Sequence, residues 1–496
     1  MRTFFLLIFI SISLNSQNLN DVVNWSLENE SGNSRYISMS GAFGALGGNL
    51  SAISSNPASG AVFELSRIGA SIVVNDNSIK SEYKGSNNIL KSSDSNYQTG
   101  LVYVFKNYGD GNFNKFSIGF NFQSQNNFNE EIKISGRTNN SIDNFFLNNS
   151  NGVSLIDISV KSNESVSGVY KWLGDNLGYY AQQAFLGYQS YMINYDSDSN
   201  SFYSLAKYEN GLDSENYLFS SGNNNIASLN ISWQFKSNFY WGINFNFHEV
   251  FVEKELRHFE NNFDTDSAIK SIDFRNYLTT NGSGISFQGG LIYKTGPIRF
   301  GLSYTSPTYF SFEDELEQYI KTSSVDTNGT LYEDTVDPRI TNIYEYNFKS
   351  PSKLMFSGAS IINNMILFSF DIISKNYSKA SFKHEYNGVY DDLNNKIEND
   401  LASNIDYKVG TEIKLNKLSI RAGFKSINNP YKNDNKNFIN SQSIGLGYNF
   451  EASTIDLAIQ SSKLEYNYQL FDTGLTDQSL IINKQLKLIF SYNIIF

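Results

Sequence analysis

The chain has 496 residues, a formal net charge of −11 and no cysteine. An acidic balance without clustered Lys and Arg excludes a nucleic-acid partner, and the missing thiols exclude a disulfide scaffold, a thiolate metal site and a cysteine nucleophile. No apolar run after the first fifteen residues approaches the ~20 that a bilayer-crossing helix needs, so a helical membrane protein is excluded as well, while 15% aromatic residues point to β structure.

The chain opens with Arg2, an apolar run from Phe4 to Ile12 and a polar stretch from Ser13 to Gln17, the layout of a secretory signal peptide over residues 1–17. Phe4 to Phe9 does not alternate and no Gly or Pro bounds it, which weighs against a buried first strand. The mature protein is therefore expected to be exported. Within 18–64, the stretch Gly41 to Ala58 is small, apolar and uncharged. Gly41, Gly44, Gly47 and Gly48 invite a phosphate-loop reading, but no Gly-Lys-Ser/Thr follows and no strand-loop-helix context surrounds them. Compact packing inside a lumen suits the stretch better. Pro57 fixes its own backbone and restricts Asn56 to extended conformations, so Asn56-Pro57-Ala58 is a rigid, positional turn.

From 65 to 496 the dominant period is two. About fourteen candidate strands follow: 66–75, 97–106, 114–124, 226–236, 239–251, 283–294, 298–305, 352–361, 365–375, 404–414, 417–425, 441–450, 453–463 and 485–496. The clearest set Phe116, Ile118, Phe120 and Phe122 against Ser117, Gly119, Asn121 and Gln123, and Phe239, Trp241, Ile243, Phe245 and Phe247 against Tyr240, Gly242, Asn244 and Asn246. Each is near the length a tilted membrane strand requires. Connections alternate between short ones (107–113, 237–238, 295–297, 362–364, 415–416, 451–452) and long ones (76–96, 125–225, 252–282, 306–351, 376–403, 426–440, 464–484). An up-and-down meander with tight turns at one end and long loops at the other produces this alternation; Greek-key crossings would not.

The long segments are rich in Asn, Ser, Asp and Tyr and read as solvated loops. Within 167–192, Leu173, Leu177, Tyr180, Ala181, Ala184 and Tyr188 recur at helical spacing with Trp172 and Phe185 alongside, so a loop helix is expected, packing on the rim or capturing an apolar ligand. His248 is placed at a strand end and His258 and His384 in or near loops, as surface residues outside any nucleophile motif. Glu313, Asp314, Glu315 and Glu317 lack the spacing and glycine of a calcium loop and read as a solvated acidic segment. No catalytic residue, metal or cofactor is expected. The last strand carries Leu486, Leu488, Phe490, Tyr492, Ile494 and Phe496 on one face and Lys487, Ser491 and Asn493 on the other, as a closing strand with a lipid face does.

Ser34-Arg35-Tyr36, Ser40-Gly41-Ala42, Gly47 to Ile53 with Gly48, and Asn56-Pro57-Ala58 resemble the amino-terminal plug of the FadL/TodX long-chain fatty acid transport family of outer-membrane proteins, in particular its Bacteroidetes branch. The close match covers residues 34–63; the remainder agrees in barrel pattern and in the terminal Phe496. The resemblance implies an all-β, fourteen-stranded transmembrane barrel filled by a small helical plug, and passive uptake of hydrophobic compounds. Long-chain fatty acids are the default class, caught by loops, held above the plug and released sideways through the wall. Such a route spares an apolar ligand the aqueous space and the polar lipopolysaccharide layer. Phe43, Leu46, Leu50, Ile53 and Phe63 are candidates for the pocket floor or else pack the plug on the wall, and Trp172, Leu173, Leu177 and Phe185 are candidates for capture. Implied partners are outer-membrane lipid and the barrel assembly machinery, the latter through the strand ending at Phe496. Rival readings are a barrel serving a secretion or assembly system, an adhesin, and an outer-membrane lipid hydrolase or protease.

Overall fold

Fourteen strands pair antiparallel in chain order: β1 (Arg67–Tyr83), β2 (Ser86–Lys106), β3 (Phe113–Asn127), β4 (Leu212–Phe235), β5 (Phe239–Asn261), β6 (Ile269–Thr295), β7 (Ile298–Thr305), β8 (Lys353–Ile362), β9 (Ile366–Asn376), β10 (Ser403–Leu415), β11 (Leu418–Asn428), β12 (Asn437–Asn449), β13 (Ser453–Gln469) and β14 (Gln478–Ile495). β14 pairs back onto β1 from Ile495↔Arg67 to Leu480↔Glu82, which closes the sheet and leaves the wall no edge. The computed structural model describes residues 17–28, 32–107, 112–386, 388–432 and 437–496, so the expected signal peptide lies outside the described residues apart from Gln17.

All fourteen expected strands are present. Their alternation puts Phe239, Trp241, Ile243, Phe245 and Phe247 outward and Tyr240, Gly242, Asn244, Asn246 and His248 inward. A lipid-facing band thus surrounds a polar inner wall, the arrangement of an outer-membrane β-barrel. The short turns lie at one end; at Asn363 and Asn364 the backbone takes φ of 49° and 55°, which asparagine tolerates better than most residues.

Most segments expected to be long loops are continuations of the wall. β1 and β2 run on to a tight turn at Lys84–Gly85, and β5 continues to Asn261, well beyond the outward Phe251. Beyond the bilayer both faces meet polar surroundings, so the apolar alternation that marks a strand fades although pairing continues. Within 306–351, Tyr309–Val325 prolongs the line of β7 and Asn342–Lys349 that of β8. Pro307 and Pro351 interrupt these lines because proline has no N–H for the ladder. Ser350 bridges the break, its N–H donating to Thr308 O (3.0 Å) and its Oγ accepting from Thr308 N (2.9 Å). The acidic segment lies on this extension, with Asp314 buried toward the lumen and Glu317 exposed.

Closed pairing resists detergent until heated, so the folded protein should migrate faster than the boiled protein in a denaturing gel. Equal mobility would mean that the strands do not close.

Candidate transport lumen

Residues 33–64 form a plug near the short-turn end. Asn33 opens α2 (Ser34–Ser38) by accepting from Tyr36 N at 3.0 Å. That places Arg35 against the wall, where Nε and Nη2 donate to Glu412 Oε2 and Oε1 at 2.8 and 3.1 Å. Arg421 Nε donates to the same carboxylate at 2.6 Å and its Nη1 to Asp456 at 2.6 Å. Glu412, Arg421 and Asp456 are buried, where charges persist only when paired and hydrogen-bonded.

The plug backbone is largely irregular, so its polar groups need side-chain partners. Asp371 on β9 accepts from Phe43 N and Gly44 N at 3.1 and 3.2 Å. Asn230, Asn244 and Gln288 donate to Pro57 O, Ile53 O and Ser55 O at 2.9, 2.8 and 2.8 Å. Asn56 accepts from Ala58 N at 3.1 Å and donates to Gly44 O and Leu291 O at 2.7 and 3.1 Å, tying two stretches of the plug to each other and to β6. Gly47 and Gly48 turn the chain at φ of 62° and 64°, a conformation that favours glycine. Gly41 donates its N–H to Tyr36 O at 2.9 Å. Ala58 packs with Ala61, Tyr240 and Ile292. Glycines also line the facing wall: a Cβ at Gly242 would sit 2.5 Å from Pro57 O, and one at Gly301 would collide with Gly44 O.

Phe43 and Leu46 are buried in a cluster with Tyr36, Met39, Val73 and Ile489. Leu50, Ile53 and Phe63 are buried in another with Val102, where Leu50 and Ile53 lie over Gly100 and Gly119 of the wall. The contacts of all five run to the plug itself and the wall.

Above the plug, α1 (Leu19–Ser26) stands in the lumen, capped by Asn18, whose side chain accepts from Asn20 N at 2.8 Å. Trp25 stacks on Phe312 with centroids 4.9 Å apart and meets Phe128 edge-on at 5.5 Å. With Val22 it joins an apolar cluster formed by Val250, Val252, Phe310, Tyr346 and Phe348. At its end, Glu28 accepts from Lys353 Nζ (2.8 Å) and faces Lys375 Nζ at 3.4 Å. Neither lysine was among the expected site residues. The available signal was parity, since each lies on the inward face of its strand, in step with Met355 and with Ile373.

The wall has a seam. β2 and β3 pair only from Lys106↔Lys115 to Thr99↔Phe122; beyond that β2 stays with β1, and β3 with β4. Across the divergence Tyr97 stacks on Phe122 at 5.6 Å and Asn127 Nδ2 donates to Asp94 Oδ1 at 2.7 Å. The separation starts at the outer edge of the lipid band, with side chains in place of a backbone ladder.

A helical cap covers the long-loop end. It contains α3 (Asp143–Ser150), α4 (Leu155–Ile158), α5 (Val166–Asn176) and α6 (Tyr179–Gln189). The single expected helix over 167–192 is two, because Gly178 breaks it at φ 98°. Leu173 and Phe185 are buried in the cap core and Leu177 packs at its margin, whereas Trp172 is 46% exposed. The cap is tied to β5 through Glu260, which accepts from Ser141 Oγ (2.6 Å) and Ile142 N (2.9 Å) and lies 2.9 Å from His258 Nε2. Asp143 accepts from Ser204 Oγ and Tyr208 OH at 2.5 and 3.1 Å, and burial pushes its carboxyl up to about 6.

His248 and His258, expected at the surface, are both buried. They occupy inward positions on β5, which runs past the point where its apolar face ends. His248 Nε2 lies 3.1 Å from Ser286 Oγ, but its Nδ1 has no partner among the described residues, so no third group orients the ring as in a hydrolase triad. His384, on the segment after β9, is half-buried.

No family model and no curated protein sequence matches the chain. Among solved structures, a Pseudomonas aeruginosa FadL homologue matches with a TM-score of 0.54 at 12% identity, over 95% of this chain and 99% of that one. The Pseudomonas putida toluene transporter TodX matches with a TM-score of 0.51 at 15% identity, over 95% of this chain and 100% of that one. The chain has the FadL and TodX barrel fold.

Proposed function

We propose that this outer-membrane barrel carries hydrophobic small molecules passively, with long-chain fatty acids as the main class. The ligand is caught at the cap, held at the apolar cluster above the plug and released sideways at the β2–β3 seam. The observation that carries this reading is the pairing of a plug, knotted to the wall by buried ion pairs and amides, with a wall that parts beside it at the edge of the lipid band. The blocked end leaves a sideways path, and an apolar solute gains by moving directly into hydrocarbon. A toluene transporter among the structures of like fold agrees with apolar cargo. In this reading Trp172, Leu173, Leu177 and Phe185 serve capture, Phe43, Leu46, Leu50, Ile53 and Phe63 support the pocket floor, and the strand ending at Phe496 is what the assembly machinery receives.

The chain has no cysteine, so Tyr97→Cys with Phe122→Cys can be joined by a short bis-methanethiosulfonate linker. Uptake of labelled oleate by a transporter-deficient host should fall on linking by about tenfold, equivalent to ~1.4 kcal/mol on the exit step, and return on reduction. Full uptake through the linked protein would sink the sideways route.

A further inference from the structure

We infer that the inner mouth of the barrel is a docking ring for an acidic, extended peptide segment of a periplasmic protein. This partner stands apart from the transport reading and does not depend on the cargo.

The short turns of an outer-membrane barrel lie on the periplasmic side. Within the last four residues of each strand at that end, the inward positions of the wall carry seven cations, Arg67, Lys106, Lys115, Lys294, Arg299, Lys414 and Arg421, against two carboxylates, Glu412 and Asp456. The plug adds Arg35 and Glu64, which cancel. A surplus of five positive charges is thus gathered at one opening of a chain whose net charge is −11. Two pairs of these cations stand directly opposite across strands, Lys106↔Lys115 and Lys294↔Arg299. Like charges so placed repel and weaken the sheet that holds them. Closure of the wall gains nothing from them; an anion laid over each pair removes the repulsion. Among the described residues Arg67, Lys106, Lys294 and Arg299 form no ion pair, and Arg67 Nε is buried without a hydrogen-bond partner. Arg299 Nη1 donates to a plug carbonyl, Leu46 O, at 2.5 Å, a weaker partner than a carboxylate. Lys106, Lys294 and Lys414 are exposed at the rim, open to the periplasm.

The spacing of the ring selects its occupant. Lys115 on β3 and Arg299 on β7 are four strands apart, roughly 19 Å along the wall at about 4.8 Å per strand, and Lys414 on β10 lies three strands further. A single phosphate or carboxylate does not span that arc. Phospholipid headgroups lie outside the wall, whereas these side chains have inward parity. An extended peptide covers the first arc with about six residues, and repeated Asp or Glu along it meets successive cations.

The test uses the full chain in nanodiscs of zwitterionic lipid, with fluorescein-labelled deca-glutamate as the probe. Binding should saturate and should weaken as added salt screens it. Lys106→Ser with Lys294→Ser and Lys414→Ser should raise the dissociation constant about tenfold or more while heat-modifiable mobility persists. Lys171→Ser with Lys207→Ser, on the cap at the opposite end, should leave it unchanged. Tri-glutamate and inorganic phosphate should compete at least about tenfold less well than unlabelled deca-glutamate, because neither reaches from one arc to the next. Equal affinity in the ring variant overturns the inference, as does a loss of the same size in the cap variant. Tri-glutamate or phosphate competing as well as deca-glutamate would make the ring a small-anion site and overturn the extended occupant.

Discussion

Replacing Glu412 by glutamine should release the plug while leaving the barrel closed. Glu412 is fully buried and accepts from Arg35 of the plug and Arg421 of the wall, so its neutral isostere takes from Arg35 its paired carboxylate and leaves Arg421 with Asp456 alone. Breaking one side of a buried ion pair costs about 3–5 kcal/mol. The strands keep their own ladder, so the loss falls on the contact between plug and wall. Planar-bilayer recordings should show steady ion conductance in Glu412→Gln and little in wild type, while heat-modifiable mobility persists. A variant as tight as wild type would mean that the amide contacts of Asn56, Asn230, Asn244 and Gln288 seat the plug without the ion pairs.

The second large effect is on the cap and depends on pH. Asp143 is buried at the start of α3, and burial raises its carboxyl from 3.8 to about 6, with the nearby Glu260 charge adding to the rise and Ser204 and Tyr208 restraining it. A group whose folded value lies above its free value binds protons more tightly when docked. Its contribution is full below about pH 4 and is lost as pH rises through about 6. The cap should therefore hold more firmly at pH 4.5 than at pH 7.5, by about 2 kcal/mol at 1.36 kcal/mol per pH unit. Amide hydrogen exchange in α3 and α6, corrected for intrinsic rates, should report this difference. Asp143→Asn should remove it, since no proton remains to gain or lose. Equal protection at both pH values in wild type would show that Asp143 does not govern docking.

The lipid-facing half of the wall was legible because hydrocarbon imposes an apolar residue at every second position, as in Phe239 to Phe247 and Leu486 to Phe496. The same strands beyond the bilayer were not: β5 past Phe251 meets water outside and a mixed interior inside, so no period marks it. His258 was assigned to a loop for that reason; His248 fell inside the expected strand 239–251, where its even parity with Asn244 and Asn246 already placed it inward. The plug motif gave Arg35 and Asn56 but not their partners. Glu412 lies 377 residues from Arg35, and no local pattern announces such a pair. Lys353 and Lys375 could have been found by asking which cations share the inward parity of Met355 and of Ile373. The cap helices were half legible, because Gly178 interrupts a stripe whose spacing runs on across it.

The plug also touches the last strand to be synthesised. Ser34 N donates to Ser491 Oγ at 2.7 Å and Ser34 Oγ donates to Ile489 O at 3.0 Å, across a sequence separation of 457 residues for the first of these. Other plug residues reach β4, β5, β6, β9 and β10, with wall glycines where the two backbones approach. A body gripped from so many directions is poorly suited to being threaded into a finished cylinder. It is better placed as a mandrel, present from the start, around which successive hairpins wrap until the final one meets the first. Contacts of such span form late and slowly. Truncations that remove the first sixty-odd residues should therefore fail in the kinetics of closure, even where the finished ring would be stable alone.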